Sequence, residues 1–447
     1  MTTNAHQNGS VTRQTSRTKA DELRKSAHFE EAVVEYALVW PDGDVWTGWG
    51  YAHCLRKAGR CKEALEVAKA VHSLDPDFRF GRSIYAWTLY DVHVRRATDP
   101  ESGVLRAANT IVQLTNDEQA YSPTSALAIT VLHVAKLWAR KGRDLRVLEW
   151  LERLDLNRLP LDPGKGADEK GRPRELASRK EQYYSLLSRS LERLGRWQEC
   201  LDTATRALSE CGRLHHDNEI WFARRIALAK QRLGKPQEAV TELQHLLERK
   251  PVAFLHTDIA SAAWDASDYD CAFKHALHAL LAPQDVGFKL EAAHLMAEIL
   301  WKRGEEEHAR THIRLCLAVR DARGWKLTED LTKLQSTWEV NGPLGHPESL
   351  LGELRPLWER WRENLSPRIA GVITKILPNG NAGFIHGEDK RDFYFDTRDW
   401  REHKSKLSEG IRVTFATKPS FDRKHQRTTV VACEVRVQSD RVNRVRG

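Results

Sequence analysis

A short pattern that recurs along the chain constrains its fold more than any other feature of the sequence. In each copy a turn residue, usually Gly, precedes a small residue by five positions. The copies lie at 58–65, 194–201, 233–240, 266–273 and 303–310, and a degenerate copy lies at 27–32. Gly tolerates the left-handed backbone that ends a helix, and a small side chain lets the next helix pack closely. The pattern therefore predicts stacked pairs of helices.

Each copy has the same parts in the same order. The turn residues are Gly59, Gly195, Gly234, Ser267 and Gly304, the small residues are Ala64, Cys200, Ala239, Ala272 and Ala309, and the closing prolines are Pro76, Pro251 and Pro283. These units resemble the tetratricopeptide repeat, and Leu74-Asp75-Pro76 is a typical repeat ending. The resemblance implies an all-α solenoid whose concave surface binds a peptide or a partner domain. The small residues from Cys200 to Ala309 are spaced by 39, 33 and 37 positions instead of a regular 34, which leaves the number of repeats open.

The helical array is predicted to occupy residues 20–365. Apolar periodicity predicts further helices within 84–94 and 126–139, and the array ends with helices near 326–339 and 347–364. Residues 160–174 are rich in Pro, Gly and charge, so we expect a mobile surface loop there. Residues 1–19 are polar and lack the apolar block of a secretory signal, and we expect a disordered tail.

Most of the 15 tryptophans lie in this array, and two interpretations of them stay open. Trp87, Trp138, Trp197, Trp221, Trp264 and Trp301 illustrate the set. Indole rings at helical spacing pack between helices in most proteins of this kind. The alternative is an aromatic groove that binds a peptide.

After Pro367 the pattern changes to an alternation with period two. The alternation predicts strands at 369–377, 382–387, 391–396, 411–417 and 428–437. Five short strands in so few residues predict a small five-stranded antiparallel β-barrel of the OB type over 366–437, followed by a basic tail at 438–447. Residues 366–447 also hold 17 Lys and Arg against 10 Asp and Glu, so they carry +7 of the net charge of +8. This asymmetry favours a polyanionic partner for the C-terminal end.

The residues of this segment resemble the cold-shock domain. The resemblance lies in Gly371-Val372-Ile373, 381–385, 392–396, 407–410 and 432–435, which occur in the order and spacing of that family. The resemblance implies that 381–385 and 392–396 are its two RNA-binding motifs. It covers about 70 residues, the C-terminal part of the chain alone.

Strand alternation assigns the candidate binding residues. If Ile385, Phe393 and Phe395 point into the barrel, then Phe384, His386 and Tyr394 point outward. Two outward aromatic rings form a platform on which unpaired bases stack, and nearby cations follow the phosphate backbone. The candidate cations are Lys375, Lys390, Arg391 and Arg398, the basic residues Lys418, Arg423, Lys424 and Arg427 of a predicted loop, and the tail residues Arg436, Arg441, Arg444 and Arg446.

Three departures from the cold-shock pattern weaken this site. In the register that aligns the motifs, Lys375 and Ala382 stand where the family has platform aromatics, and Asp396 replaces a usual His. Losing two stacks costs about 2–6 kcal/mol of binding free energy, since each stack contributes about 1–3 kcal/mol. We therefore expect weaker and more salt-sensitive binding than a free-standing cold-shock protein shows. A barrel that binds protein instead is the alternative.

Other functional classes find little support in the sequence. His308, His312 and Cys316 share a helix face, but no fourth ligand is evident, so we predict no metal site. The sequence also lacks H-E-x-x-H, G-x-S-x-G and dinucleotide-binding motifs, and we expect neither an enzyme nor a cofactor. Seven scattered cysteines without a C-x-x-C suit a reducing cytoplasm. No apolar run is long enough to span a membrane.

Two hypotheses follow from these observations. In the first, the protein is a non-catalytic adaptor whose barrel binds single-stranded RNA or DNA, with RNA favoured, and whose solenoid binds a protein partner. In the second, it is a protein–protein scaffold or regulatory sensor whose barrel contacts protein.

Overall fold

The structure is a computed structural model that describes residues 3–40, 43–117, 125–167, 171–365, 368–422 and 427–438. The chain divides into two compact units, Met1–Leu246 and Leu247–Gly447. Eighteen α-helices and seven β-strands lie within the described residues. None of the described helices is both long and apolar enough to cross a lipid bilayer.

The first unit is a stack of helices that follow one another in space as in sequence. Its helices are α1 (Thr3–Lys25), α2 (Phe29–Val39), α3 (Val45–Lys57), α4 (Cys61–Leu74), α5 (Arg79–Leu89), α6 (Ser102–Thr115), α7 (Ala126–Arg140), α8 (Asp144–Leu151), α9 (Arg179–Arg193), α10 (Trp197–Glu210), α11 (Asn218–Arg232) and most of α12 (Pro236–Arg249), whose last residues belong to the second unit. From α1 to α11, each helix packs on the next, and each odd-numbered helix also contacts the next odd-numbered helix. The odd-numbered helices therefore line one continuous face of the stack, as repeat solenoids require.

The predicted turns and small residues are confirmed. Gly59, Gly195, Gly234, Ser267 and Gly304 all have positive φ, between 60° and 84°. After each of the five turns, a backbone amide donates to a carbonyl oxygen five residues earlier, at 2.9–3.0 Å. The donors are Arg60, Arg196, Lys235, Asp268 and Glu305, and the acceptors are Leu55, Leu191, Lys230, Ala263 and Leu300. These bonds define a Schellman motif, which satisfies carbonyls at a helix C-terminus. The five small residues, Ala64, Cys200, Ala239, Ala272 and Ala309, are completely buried.

Two segments of the first unit differ from the prediction. Residues 1–19 were expected to be a disordered tail, whereas helix α1 begins at Thr3 and runs through them. The two strands β1 (Gly164–Ala167) and β2 (Pro173–Leu176) pair within and just beyond the predicted loop at 160–174. Short Gly- and Pro-containing strands of this kind carry no alternating apolar pattern, so sequence periodicity does not reveal them.

The second unit begins with six helices. These are α13 (Ala253–Asp265), α14 (Tyr269–Leu281), α15 (Leu290–Lys302), α16 (Glu306–Ala322), α17 (Glu329–Thr337) and α18 (Pro347–Leu365). Helix α18 packs against α14 and α16. Its Trp358 is buried, and its indole Nε1–H donates to Nε2 of His312 at 2.8 Å. The last two helices lie where the apolar periodicity predicts them.

A closed five-stranded barrel follows α18. Its strands are β3 (Ile369–Ile376), β4 (Ala382–Gly387), β5 (Asp392–Asp396), β6 (Arg412–Asp422) and β7 (Arg427–Val437), in the spatial order β3-β4-β5-β7-β6. The prediction of an all-antiparallel barrel was wrong in one pair, because β5 and β7 run parallel. This parallel pair closes the Greek-key barrel and places β7 beside β5. Strand β6 also extends into the segment predicted to be a loop.

Candidate nucleic-acid interface

The aromatic pair predicted from strand alternation lies on the outer surface of the barrel. Ile385, Phe393 and Phe395 are buried in its core, as expected. Phe384 and Tyr394 are exposed by 36% and 40%, large fractions for aromatic residues within strands. They are directly paired between β4 and β5, with ring centroids 5.8 Å apart and ring planes at 73°. The two rings thus form one edge-to-face surface that is open to solvent.

A cation continues this row across the neighbouring strand. Lys375 is exposed and pairs with Phe384, which in turn pairs with Tyr394, so the three residues cross β3, β4 and β5 in one line. Ala382 lies two residues before Phe384 on the same strand face, but it is buried and adds no surface to the platform. The structure therefore presents two exposed aromatic rings beside a lysine.

The next row of the same face is polar. His386 and Asp392 are directly paired between β4 and β5, and the His386 Nδ1 lies 2.8 Å from the Asp392 Oδ1. Both side chains are exposed. His386 therefore points outward as predicted, but its δ nitrogen already has a carboxylate partner.

Several of the predicted cations are paired with neighbouring acids. Arg398 Nε and Nη2 donate to the two carboxylate oxygens of Asp396 at 3.0 and 2.8 Å. This bidentate pairing lowers the pKa of Asp396 to about 2. Arg391 donates through Nε and Nη2 to Asp389 Oδ2. The positive charge available to a phosphate backbone is thus smaller than the count of basic residues indicates.

A third acid pairs with a basic residue predicted to lie in a loop. Lys418 lies in β6, and its Nζ donates to both oxygens of Asp399, at 3.1 and 2.9 Å. Two of these three acids could have been recognised in the sequence, because Asp389 and Asp396 each precede their arginine by two residues. Lys390, in contrast, is exposed at a left-handed turn between β4 and β5, with φ of 64°.

The remaining predicted basic residues divide into two groups. Arg423, Lys424, Arg441, Arg444 and Arg446 lie outside the described residues, and Arg427 is described in its backbone alone, at the start of β7. Arg436 belongs to β7, and its Nη2 pairs with Glu363 of α18. Arg436 is therefore part of an attachment between the barrel and this helix.

The attachment to α18 uses other strands than those that carry the rings. Arg362 Nη2 lies 3.4 Å from Glu434 Oε1. Arg368 donates to the hydroxyl and the carbonyl oxygen of Thr414 at 3.1 and 2.7 Å, and to the carbonyl oxygen of Glu434 at 2.7 Å. These contacts lie on β6 and β7, so they leave the rings of β4 and β5 uncovered.

Of the three residues His308, His312 and Cys316, the last two are buried and have partners other than a metal. His312 is completely buried; its Nδ1 donates to the carbonyl oxygen of His308, and its Nε2 accepts from Trp358. Burial lowers the pKa of His312 to about 4. The Cys316 thiol contacts the carbonyl oxygen of Leu290 at 3.5 Å. These groups are satisfied within the helical core, which is the ordinary role of such side chains.

Comparisons with known proteins give one family and several structures. A family model described as a domain of unknown function (DUF7017) matches residues 220–343. No curated protein sequence matches the chain. The matched family segment ends before the barrel, so the resemblance to the cold-shock domain stays a prediction.

Similar solved structures are helical repeat proteins. A human IFIT1 dimer with PPP-AAAA is 15% identical, with a TM-score of 0.36 over 77% of this chain and 81% of that one. The Cut9–Hcn1 hetero-tetramer of APC/C is 12% identical, with a TM-score of 0.35 over 72% and 54% of the two chains. A tetratricopeptide repeat protein from Parabacteroides merdae ATCC 43184 is 12% identical, with a TM-score of 0.30 over 64% and 98%. By its own helices and strands, the chain consists of tetratricopeptide-like helical repeats followed by a closed five-stranded barrel.

Proposed function

We propose that this protein is a non-catalytic adaptor. Its cold-shock-like barrel binds single-stranded nucleic acid, with RNA as the favoured ligand, and its helical array binds a protein partner. The single observation that carries the nucleic-acid part is the open aromatic pair Phe384–Tyr394, which lies in line with Lys375. Neither metal nor cofactor is needed for this role.

Two exposed aromatic rings on adjacent strands contribute little to the stability of the barrel, but they provide a surface on which bases can stack. An aromatic side chain on an otherwise polar sheet gains little by facing water, whereas each base stacked on it contributes about 1–3 kcal/mol. Lys375 and Lys390 are exposed on the flanking strand and turn, where they can contact phosphates. Because several other cations are held by acids, we expect modest affinity and a strong dependence on salt.

The helical array supplies the second half of the proposed function. In unit one the odd-numbered helices line one face, which is the usual peptide-binding surface of such repeats. The six tryptophans considered above are all partly buried between helices. They act mainly in packing, and the binding surface is built from other side chains. No disulfide joins any of the seven cysteines, all of which are described, and this agrees with the cytoplasmic location that we propose.

The test is a binding measurement on the full-length protein with a paired substitution in the platform. Fluorescence anisotropy should compare single-stranded RNA, single-stranded DNA and duplex for the wild type and for Phe384→Ala with Tyr394→Ala. We expect the double variant to bind single strands at least about tenfold more weakly, since two stacks are lost. Val430→Ala is the matched control, because Val430 is an exposed apolar side chain on β7. An unchanged affinity of the double variant would rule the platform out.

One observation favours the alternative that the barrel contacts protein. Arg391, Arg398 and Lys418 are each bound to an aspartate of the same barrel, which leaves a mixed surface of alternating charge. Such surfaces are common at the polar rims of protein interfaces. Under this alternative, any nucleic acid that binds is released at modest salt, and the aromatic substitutions do not change its affinity.

A further inference from the structure

A second basic site lies in the first unit, far along the chain from the barrel. A cavity of about 530 Å³ opens between α7 and α9, and its polar lining is Lys136, Arg140, Asp144, Arg189 and Arg193. Its volume falls within the range of pockets that hold small ligands. Asp144, at the start of α8, completes this lining.

The basic residues of α9 form a stripe along one side of this helix. Arg179, Gln182, Leu186, Arg189 and Arg193 are spaced by three and four positions, which places them on one helical face. Leu186, Arg189 and Arg193 line the cavity. Lys136 and Arg140 lie four residues apart on α7, on its opposite wall.

The charges of this cluster are poorly balanced. Asp144 is its one lining carboxylate; it accepts a hydrogen bond from the Ser190 hydroxyl at 2.9 Å and lies 3.8 Å from Arg193 Nη1. Lys136 Nζ donates to the neutral Oε1 of Gln182 at 2.7 Å. Within the described part of the chain, no carboxylate pairs with Arg140 or Arg189.

Arginines at the repeat turns of the same unit behave differently. Arg60 makes two hydrogen bonds to Glu63, and Arg196 makes two to Glu199, each at 2.5–2.8 Å. Each of these two turn arginines is thus held by a glutamate, whereas the cluster between α7 and α9 has four cations around one acid. Such an excess of positive charge in a concave site costs folding free energy unless an anion occupies it.

We propose that this cavity binds a compact anion that carries two or more phosphate groups. An oligophosphate brings several negative charges into a small volume, whereas carboxylate side chains bring one charge each and need more room. The planar guanidinium groups of Arg140, Arg189 and Arg193 suit bidentate contacts to phosphate oxygens. Lys136 at the wall supplies a point charge, as lysines do in many phosphate sites. The inference goes beyond the proposed function, because it concerns the other unit and another ligand.

The ionisation of Lys136 agrees with this assignment. Burial, Arg179 and Arg140 together lower the pKa of Lys136 to about 8. A lysine among cations is poorly stabilised in its charged form until a counter-charge arrives. A bound oligophosphate provides that counter-charge.

The experiment is calorimetric titration of the full-length protein with tripolyphosphate and, separately, with ATP at low ionic strength. We expect both to bind the wild type, and Arg189→Gln with Arg193→Gln to weaken both by about tenfold or more. Lys136→Met, which keeps much of the side-chain length, should have a similar effect. Arg146→Gln is the matched control, since Arg146 is an exposed arginine of α8 paired with Glu149. Circular dichroism checks that each variant is folded.

Three results would overturn the proposal: no binding of tripolyphosphate to the wild type, an equal loss in the Arg146→Gln control, or tighter binding of a hexaglutamate peptide than of tripolyphosphate. The platform variant Phe384→Ala with Tyr394→Ala should bind tripolyphosphate as the wild type does. This measurement separates the two proposals, because nucleic-acid binding by the barrel and anion binding by the cavity can then be disproved independently.

Discussion

The rings of Phe384 and Tyr394 meet edge to face across β4 and β5, at a centroid distance of 5.8 Å. Each ring therefore orients the other, and neither acts as an independent stacking surface. If the proposed function holds, a base stacked on one ring would also contact the edge of its neighbour. The geometry of the pair, and not the number of aromatics alone, determines how the barrel would hold a single strand.

This contact predicts that the two rings are coupled in binding. Phe384→Ala and Tyr394→Ala should each weaken single-strand binding by about tenfold, which is about 1.4 kcal/mol. Because each substitution also frees the other ring to move, the double variant should lose less than the sum of the two. A double-mutant cycle by fluorescence anisotropy measures the difference, and Phe384→Trp should retain binding. Strictly additive losses would show that the rings act separately.

A second prediction concerns the carboxylate that holds Arg398. Asp396→Asn removes the charge but keeps an oxygen that accepts from the Arg398 amide, now 2.8 Å away. The freed guanidinium should tighten single-strand binding by about threefold and make the negative slope of log affinity against log salt steeper by about 0.7. Asp270→Asn changes the net charge equally on helix α14, where Asp270 pairs with Arg303, and should leave both quantities unchanged. An Asp396→Asn variant that binds no more tightly would support the protein-binding alternative.

A third prediction follows from two histidines in the second unit. His256 Nδ1 and His275 Nδ1 lie 2.9 Å apart, and His278 stacks on His256 with ring centroids 5.0 Å apart. Burial, with smaller contributions from neighbouring charges, lowers the pKa of His256 to about 4 and that of His275 to about 3. Unfolded histidine titrates near 6.5. Below that pH the unfolded state therefore takes up protons that the folded state does not, so stability should fall as the pH drops from about 6.5 towards 4.

The measurement is the free energy of unfolding at several values of pH in this window. In the His275→Leu variant, the free energy of unfolding should decrease less steeply as the pH falls, whatever the substitution does to the stability at neutral pH. His346→Gln is the control, because His346 is exposed near the start of α18. An unaltered slope in His275→Leu would mean that this pair does not govern the acid sensitivity.

A fourth prediction compares two glycines of the first unit. Gly234 has a φ of 84°, and no atom lies within 4 Å of the position that a Cβ would take. Gly234→Ala therefore adds no steric contact but forces alanine into a left-handed conformation, at a cost of about 1 kcal/mol. Gly103, in α6, also has open space, and Gly103→Ala should stabilise by about 0.5 kcal/mol. Urea unfolding should give changes of opposite sign, and a stabilising Gly234→Ala would contradict the turn assignment.

Much of the fold could be predicted because its signals are local. A glycine followed five positions later by a small residue predicts a turn and a close contact between helices. The alternation of apolar and polar residues predicts which strand residues face the core. Phe384 and Tyr394 could be assigned to the barrel surface in this way. The parallel pairing of β5 with β7 could not, because it joins residues that are distant in sequence and leaves no local pattern.

The parts that were missed are electrostatic or weakly patterned. A sum of charges over 366–447 does not show that Asp396 and Asp399 engage Arg398 and Lys418. Helix α1 begins within a polar segment that lacks a clear apolar stripe, so periodicity predicts no helix there. The stripe of Arg179, Arg189 and Arg193 on α9 resembles an ordinary solvated face until α7 is placed opposite to it.

The ionic contacts of Arg362 and Arg436 with the glutamates across from them have an experimental consequence. Dissolved ions weaken these charge pairs, whereas the apolar interior of the barrel is largely indifferent to them. Raising the ionic strength should thus weaken the contacts between α18 and the barrel and, on the proposed function, displace a bound strand at the same time. The slope of log affinity against log salt, measured on the intact protein alone, would combine both events. Comparing a variant with its control at each ionic strength isolates the release of the ligand.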